Sequence, residues 1–150
     1  MKSSFNPTHT QELINRINQL TPTTQPQWGK MNVAQMLAHV NVAYDMAFTD
    51  KYPKPNFLMR WMLTRFVKPA VVGPKPYPKN GRTAPAFLVS PDQDFKKEQQ
   101  QLIDYIKKTQ TLGADHFEQK ESNSFGKLDA QEWSTLFYKH LDHHLVQFGE

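Results

Sequence analysis

The last predicted helix, residues 129–148, carries histidines inside its apolar face. An α-helix turns by roughly 100° per residue, which puts Phe137 and Leu141 on one stripe together with His140 and His144. His143 falls at the margin of that stripe. Burying an unpaired polar group costs about 1 to 3 kcal/mol. The rest of the fold must therefore supply these imidazoles with hydrogen-bond partners, a carboxylate or a metal ion.

Length and composition limit the classes of protein that this chain can belong to. Its 150 residues, 38% of them hydrophobic, predict a single domain over 1–150, which would bury roughly 68 to 70% of its unfolded surface. No stretch approaches the roughly 18 apolar residues of a membrane span, and residues 1–13 lack the apolar core of a signal peptide. We therefore expect a cytoplasmic protein. The lack of cysteine excludes disulfides and Cys-ligated metal, so any metal site must use His, Asp or Glu.

Capping residues and apolar periodicity predict four long helices, over 8–20, 32–48, 90–111 and 129–148. Their N-caps are expected at Thr8, Asn32, Ser90 and Asp129. Gly113 is placed to stop the third helix. Because no segment reads as a convincing strand, the predicted fold class is all-α, a four-helix bundle.

The connection between the second and third helices is too long for a simple bundle turn. Eight of the eleven prolines lie within residues 51–91. Within this crossover, residues 57–67 are predicted to form a short amphipathic helix with Arg60 and Arg65 outward. The extended stretch from Lys68 to Val89 is predicted to cover part of the bundle.

The same crossover is strongly basic. Residues 51–91 contain no acid and eight basic side chains, namely Lys51, Lys54, Arg60, Arg65, Lys68, Lys75, Lys79 and Arg82. The segment is either a solvated loop or a device that attracts an anionic substrate. Contact with nucleic acid or a membrane surface is a third interpretation, which the acids elsewhere in the chain and the lack of a nucleic-acid motif disfavour.

Three histidines form the candidate metal site. His140 and His144 are four residues apart, so both can reach one ion at the roughly 2.0 to 2.1 Å of a zinc–nitrogen bond. His39, from the second helix, would complete the set and leave coordination positions open. The alternative is that each ring is a core histidine satisfied by a carbonyl or a buried water. Surface or rim positions are expected for the other histidines, His9, His116 and His143.

Two segments resemble a known family. The stretches WGKMNVAQMLAHVNVAY and FGKLDAQEWSTLFYKHLDHHLVQFG are similar to the DinB-like superfamily of small four-helix metalloproteins, which includes the bacillithiol S-transferases. That pattern has one His on the second helix and H-x-x-x-H on the last. The resemblance spans most of the chain and implies His39, His140 and His144 as ligands of zinc or nickel, with manganese or iron as alternatives. It also allows a homodimer.

The implied chemistry is hydrolysis or transfer of a low-molecular-weight thiol. A small anionic thiol would suit the basic crossover, and without cysteine the chain supplies no thiol of its own. Helical angles place Asp45 and Asp142 too far from the ligand rows to act as bases, and leave Gln35, Asn41 and Tyr44 as candidates for orienting an imidazole. The alternative function is a non-catalytic helical module that binds an anionic partner through residues 51–82.

The large aromatic side chains are predicted to belong to the core. Trp28, Trp61 and Trp133 could form a binding platform, but aromatic residues in a helical bundle more often pack inside. No aromatic residue is therefore assigned to a substrate.

Overall fold

The computed structural model describes residues 2–150, which are mostly helical with one small β-hairpin. The elements in chain order are α1 (Pro7–Gln19), α2 (Val33–Phe48), α3 (Phe57–Met62), a π-helical turn (Leu63–Val67), α4 (Lys68–Val72), a 3-10 turn (Pro85–Phe87), α5 (Phe95–Phe117), β1 (Lys120–Ser122), β2 (Gly126–Leu128) and α6 (Ala130–Gln147). The two strands are antiparallel. Within residues 2–150, no helix is both long and apolar enough to cross a bilayer.

The long helices share one hydrophobic core. Helix α5 packs against α1, α2 and α6, and α6 also packs against α1 and α2. At the centre, the ring of Tyr44 stacks on that of Phe137 with the centroids 4.5 Å apart. The largest fully buried side chains come from all of these helices and include Leu13, Ile17, Met36, Leu37, Leu102, Ile106, Phe117, Phe137, Leu141 and Leu145. The predicted all-α class is confirmed in its broad, mostly helical form.

Local hydrogen bonds fix the start of the two helices that carry the candidate ligands. The Asn32 side chain accepts the Gln35 backbone N–H at 2.8 Å, and the Gln35 side chain accepts the Asn32 N–H. Asp129 and Glu132 make the same reciprocal pair at the start of α6. These capping boxes confirm the predicted N-caps of α2 and α6.

The other two predicted N-caps are wrong. Helix α1 begins at Pro7 because the Asn6 side chain, rather than that of Thr8, accepts the first free N–H groups. Helix α5 begins at Phe95, where the Asp94 carboxylate accepts the Lys97 N–H. The residues before it are held by other contacts, because Gln93 Nε2 donates to the Ser90 carbonyl and hydroxyl, and Asn32 Nδ2 donates to the Pro91 carbonyl.

The region after Thr111 also differs from the prediction. Gly113 adopts φ 72°, which kinks α5, but helical structure resumes and continues to Phe117. The Phe117 side chain is fully buried, so its packing favours the extra helical turn after Gly113. The hairpin that follows was not predicted, because strands of three residues are too short to show an alternating pattern. Its turn is closed by the Ser122 hydroxyl, which donates to the Gly126 carbonyl at 2.8 Å.

The helix predicted at 57–67 is present as α3 and the π-helical turn, and Arg65 is exposed as predicted, but Arg60 does not point outward. Arg60 points toward the body of the protein and pairs with Glu121 of β1 at 2.5 Å. Apolar rings point outward instead, with exposed fractions of 86% for Phe57, 54% for Trp61 and 66% for Phe66. The core assignment is therefore wrong for Trp61, whereas it is confirmed for Trp133, which is 2% exposed.

Candidate metal centre

The structure brings the three predicted histidines together. His39 lies on α2, and His140 and His144 lie one turn apart on α6. One ligand nitrogen from each ring can be chosen so that all three lie within 4.8 Å of one another. His39 and His144 are buried, at 5% and 7% exposed, and His140 is partly buried. His39 is buried although the apolar periodicity of α2 places it beside the central apolar row of that helix.

The spacing of these nitrogens fits a single small cation. Two nitrogens bound to zinc at 2.0 to 2.1 Å with a tetrahedral angle lie about 3.4 Å apart. The Nε2 atoms of His39 and His140 are 3.1 Å apart. The group therefore needs only small side-chain rotations to hold a divalent ion.

Hydrogen bonds at the outer nitrogens orient two of the rings. His39 Nδ1 lies 2.9 Å from the Phe87 carbonyl, which can only accept, so the ring donates there and its Nε2 keeps a lone pair. His144 Nδ1 lies 2.7 Å from Gln147 Oε1. The Gln147 amide is fixed because its Nε2 donates to the Trp28 carbonyl, so His144 also donates from Nδ1. Both free lone pairs are then on Nε2, the arrangement expected of metal-binding histidines.

A close backbone approach holds Gln147 in place. Gly29 has φ +85°, and a Cβ at this position would lie 2.6 Å from Gln147 Nε2. Any larger residue would therefore both strain the backbone and push the amide away. The Trp28–Gly29 turn thus supports the orientation of His144 from outside the site.

Burial keeps the three rings neutral. Desolvation is the main cause that lowers the pKa of all three imidazoles, to about 3 for His144 and well below the ordinary value for His140. Neighbouring imidazoles lower the pKa of His140 and His144 further. A neutral imidazole is the form that binds a metal, so no imidazolium has to be deprotonated before binding at pH 7. Because His39 Nε2 keeps a lone pair, His140 Nε2 donates to it at 3.1 Å, and this proton has to move to the other ring nitrogen before His140 Nε2 can bind an ion.

These pKa values predict how the metal-free protein responds to acid. The unfolded chain binds protons near pH 6.5, whereas the folded rings resist protonation until well below it. The stability that the neutral rings contribute is therefore complete above about pH 6.5 and is lost as the pH falls toward the folded pKa values. The urea midpoint of chelator-treated protein should decrease as the pH is lowered through this range. His144→Asn should make the dependence of the urea midpoint on pH less steep.

The control for this acid response is His116→Gln, since His116 is exposed on α5. This variant should follow the profile of the unmodified protein. If His144→Asn had an equally steep acid profile, burial of that ring would not be a source of the pH dependence.

The residues that orient the rings are not those expected from the sequence. Gln35 donates to the Val89 carbonyl, Asn41 donates to Glu98, and Tyr44 stacks on other aromatic rings. Gln147 and the Phe87 carbonyl take the orienting role instead. Gln147 stands three residues after His144 on the same helix, a spacing that could have identified it. No local sequence pattern identifies the Phe87 carbonyl as a hydrogen-bond partner of His39.

Replacing Gln147 tests its orienting role. We expect Gln147→Leu to weaken metal binding about 10- to 100-fold, since loss of an orienting partner typically has that effect. Gln147→Glu should weaken binding less, because it keeps an acceptor for His144 Nδ1. Competition with a chromophoric chelator measures both affinities. Gln131→Leu, at the far end of α6, is the matched control. If the Gln131→Leu and Gln147→Leu proteins bound metal with equal affinity, the orienting role of Gln147 would be contradicted.

Residues 73–91, called the strap below, lie over the histidines. The Phe87 ring centroid is 5.5 Å from that of His39 and 5.7 Å from that of His140. Tyr77 packs edge-on against His140 and His143. Lys139 Nζ anchors the start of the strap through the carbonyls of Ala70, Gly73 and Lys75. A cover is thus present, and it closes the site through aromatic rings, but Lys68–Val72 forms helix α4 rather than part of the predicted extended stretch from Lys68 to Val89.

The remaining histidines lie outside the cluster. His143 is half-buried between Trp28 and Tyr77 and is not part of the group formed by the other three rings. His9 Nδ1 accepts the Ser3 N–H at the start of the chain. His116 is exposed beside Phe117. The structure therefore supports no ligand role for these three.

Comparisons with known proteins place the chain in a family without assigning it an activity. The model of the family described as "Protein of unknown function (DUF1569)" matches residues 1–150. No curated protein and no solved structure matches the chain. The described residues form a mostly helical fold with three converging histidines that could hold a metal ion. Because the match covers the whole sequence, the chain belongs to the DUF1569 family.

Proposed function

We propose that this protein is a metal-dependent enzyme whose divalent ion is held by His39, His140 and His144. Zinc and nickel are the preferred ions, with manganese and iron as alternatives. The observation that carries the proposal is the convergence of three neutral imidazoles from two helices, with the outer nitrogen of His39 and of His144 already donating a hydrogen bond. Three histidine nitrogens leave one or more coordination positions of the ion open, which is typical of catalytic rather than structural metal sites.

We further propose that the fold is a four-helix bundle of the DinB-like type. Helices α1, α2, α5 and α6 pack on one another, and the long crossover lies between the second and third of them. The histidines occupy the second and last of these helices, as in the pattern that the sequence resembles. The hairpin before α6 is an addition that the resemblance does not imply.

The reaction class follows from the open coordination positions. When bound, the ion would supply Lewis acidity, either to lower the pKa of a water for hydrolysis or to activate the thiolate of a small co-substrate for transfer. Phe87 and Tyr77 exclude bulk water from the rings. Asp142 pairs with Arg16 and Asp45 accepts from Tyr105, so both carboxylates are engaged away from the centre, in line with the prediction that neither serves as the base.

An anionic substrate is favoured by the charges that remain near the strap. Four basic side chains of the crossover pair with acids of this chain, namely Lys51, Lys54, Arg60 and Lys68. Lys79 lies with its Nζ 4.3 Å from the centroid of the Trp28 ring, and that ring contacts His143. Attraction of an anion is therefore assigned to Lys79 at the rim of the site rather than to the whole basic segment.

Access to the centre requires movement of the strap. His39 and His144 have almost no exposed surface, and the Phe87 carbonyl is itself a hydrogen-bond partner of His39. Opening the strap would expose the rings and release that hydrogen bond at the same time. We assign substrate entry to this movement, which is a common role of loops over active sites.

The proposal is tested with untagged protein. Elemental analysis should find close to one divalent ion per chain, and His140→Ala should lack it. Metal-replete and chelator-treated protein are then assayed for ester hydrolysis and for transfer of a small thiol to an electrophile. We expect one of the two activities in metal-replete protein but not in chelator-treated protein. The His140→Ala protein should lack this activity, and the metal-replete His116→Ala protein should retain it. Equal metal content in all three proteins would refute the proposal.

A further inference from the structure

The helical segment that joins α2 to the strap exposes an unusual amount of apolar surface. Residues of α3, the π-helical turn and α4 are all exposed or only partly buried. Seven large apolar side chains of this segment, called the apolar ridge, are exposed: Phe57, Leu58, Met59, Trp61, Met62, Phe66 and Val67. Elsewhere in residues 2–150 the exposed large hydrophobic side chains are scattered, at Leu88, Leu112 and Val146. A contiguous patch of this kind marks an interaction site.

Two charged side chains of the same segment, Arg60 and Lys68, face the protein, whereas Arg65 is exposed. Arg60 pairs with Glu121 of β1, and Lys68 pairs with Glu132 of α6 at 2.7 Å. A surface helix of a globular protein normally has the opposite orientation, with apolar residues toward the core. Here ion pairs attach the segment to the body and leave the apolar ridge without a partner among the described residues. The ridge is thus available to a surface outside the chain.

Charge at the edge of the ridge indicates what that surface is. Residues 51–91 contain no acid. Arg65 lies beside Phe66 with its guanidinium carbon 5.6 Å from the ring centroid. Lys54 lies 3.7 Å from the Glu121 carboxylate, which also pairs with Arg60, so these two cations share one acid and keep a net positive charge, and the Lys54 side chain is 59% exposed. Large apolar and aromatic side chains bordered by Lys and Arg are the features of helices that lie in a membrane interface, where the rings enter the lipid and the cations meet anionic headgroups.

We propose that the apolar ridge docks on the surface of a membrane that contains anionic lipids, with Lys54 and Arg65 contacting lipid phosphates. The segment lies in the plane of the interface with Phe57, Trp61 and Phe66 inserted among the acyl chains. This goes beyond the proposed enzymatic function and does not depend on metal. The sequence disfavours membrane-surface contact, but it does not show that the apolar side chains of this segment face outward.

Two other occupants fit the ridge less well. A second copy would meet it through a symmetric contact, which brings two acid-free segments against each other and costs like-charge repulsion. Nucleic acid is bound mainly through its phosphates, and a ridge of aliphatic and aromatic side chains contributes little to such contacts. An anionic bilayer satisfies both the apolar and the basic side chains.

Vesicle binding of the full-length chain tests the proposal. Sedimentation with vesicles of phosphatidylcholine and phosphatidylglycerol should recover the protein, whereas pure phosphatidylcholine should recover much less, and added salt should weaken the binding. Tryptophan emission should shift to the blue on binding, because Trp61 is exposed while Trp133 is buried. Trp61→Phe should keep the binding and lose most of the shift.

Substitutions distinguish vesicle binding through the apolar ridge from nonspecific adsorption to lipid. Phe57→Ser combined with Phe66→Ser should weaken partition into anionic vesicles by about tenfold or more, since both rings lose their burial in lipid. Both rings are exposed, so the fold should be unaffected, and circular dichroism checks this. Leu112→Ser combined with Val146→Ser is the matched control on other faces and should bind normally. Arg65→Gln with Lys54→Gln should remove the preference for anionic lipid.

Four results would overturn the proposal. The first is a lack of binding to both kinds of vesicle. The second is equal binding by the Phe57→Ser, Phe66→Ser protein and its control. The third is a dimer in solution that the same pair of substitutions dissociates, which would assign the ridge to self-association. Retention on a nucleic-acid column that the ridge substitutions abolish would likewise reassign it.

Discussion

Removing His140 or His144 is expected to abolish the stabilisation that a divalent ion gives this protein. A ligand that binds the folded state alone, at a hundred times its dissociation constant, stabilises that state by about 2.7 kcal/mol. For a chain of this length each kcal/mol corresponds to roughly 2 to 4 °C in melting temperature. Zinc or nickel added to chelator-treated protein should therefore raise the melting temperature by about 5 to 10 °C, and His140→Ala or His144→Ala should show little or no rise.

The design includes a neighbouring histidine as its control. His143→Ala removes a ring that lies beside His144 but outside the ligand group. The His143→Ala protein should keep the full metal-dependent rise in melting temperature. This result would distinguish the loss of a metal ligand from the loss of packing at the end of α6. A His140→Ala protein that metal stabilises as strongly as the unmodified protein would show that the ion, if any, binds elsewhere.

Truncating Phe137 is expected to cause the largest loss of stability among single core changes. The side chain is 1% exposed and stacks on Tyr44 and Trp133, with centroid distances of 4.5 and 5.4 Å. Replacing a buried phenylalanine by alanine costs about 3 to 5 kcal/mol, because contacts are lost and the cavity collapses only in part. Urea denaturation of chelator-treated Phe137→Ala measures the change without a contribution from metal.

The matched variants define the physical cause of that loss. Phe137→Leu fills much of the volume and should cost clearly less than Phe137→Ala. Phe57→Ala removes the same side chain from an exposed position and should be nearly neutral for stability. If the two alanine variants were equally stable, the stacked aromatic cluster around Phe137 would not be a major source of stability.

Much of the fold could be predicted from short stretches of sequence. The capping boxes at Asn32 and Asp129 use residues three apart, so the start of α2 and of α6 depends on no distant contact. The predicted caps at Thr8 and Ser90 failed where a neighbouring Asn or Asp offered a better acceptor, at Asn6 and Asp94. Competition between adjacent capping residues is decided by the path of the chain before the helix, which a local pattern does not contain.

The candidate site divides in the same way. Helical spacing alone placed His140 and His144 on one face, whereas the periodicity of α2 placed His39 beside the apolar row of its helix. The orientation of the rings depends on Gln147 and on the Phe87 carbonyl, which comes from a part of the chain 48 residues away from His39. A backbone carbonyl has no sequence signature, since every residue carries one.

The sequence by itself determined the long helices, their buried faces and the rows on which the three histidines lie, because these follow from hydrogen bonds and spacing within a few residues. Only the tertiary structure decided which side of residues 57–67 faces outward. That choice rests on Glu121 and Glu132, which lie on distant elements and attract Arg60 and Lys68 toward the body. Amphipathic spacing shows that a helix has two faces, and the charges of its neighbours determine which one meets the protein.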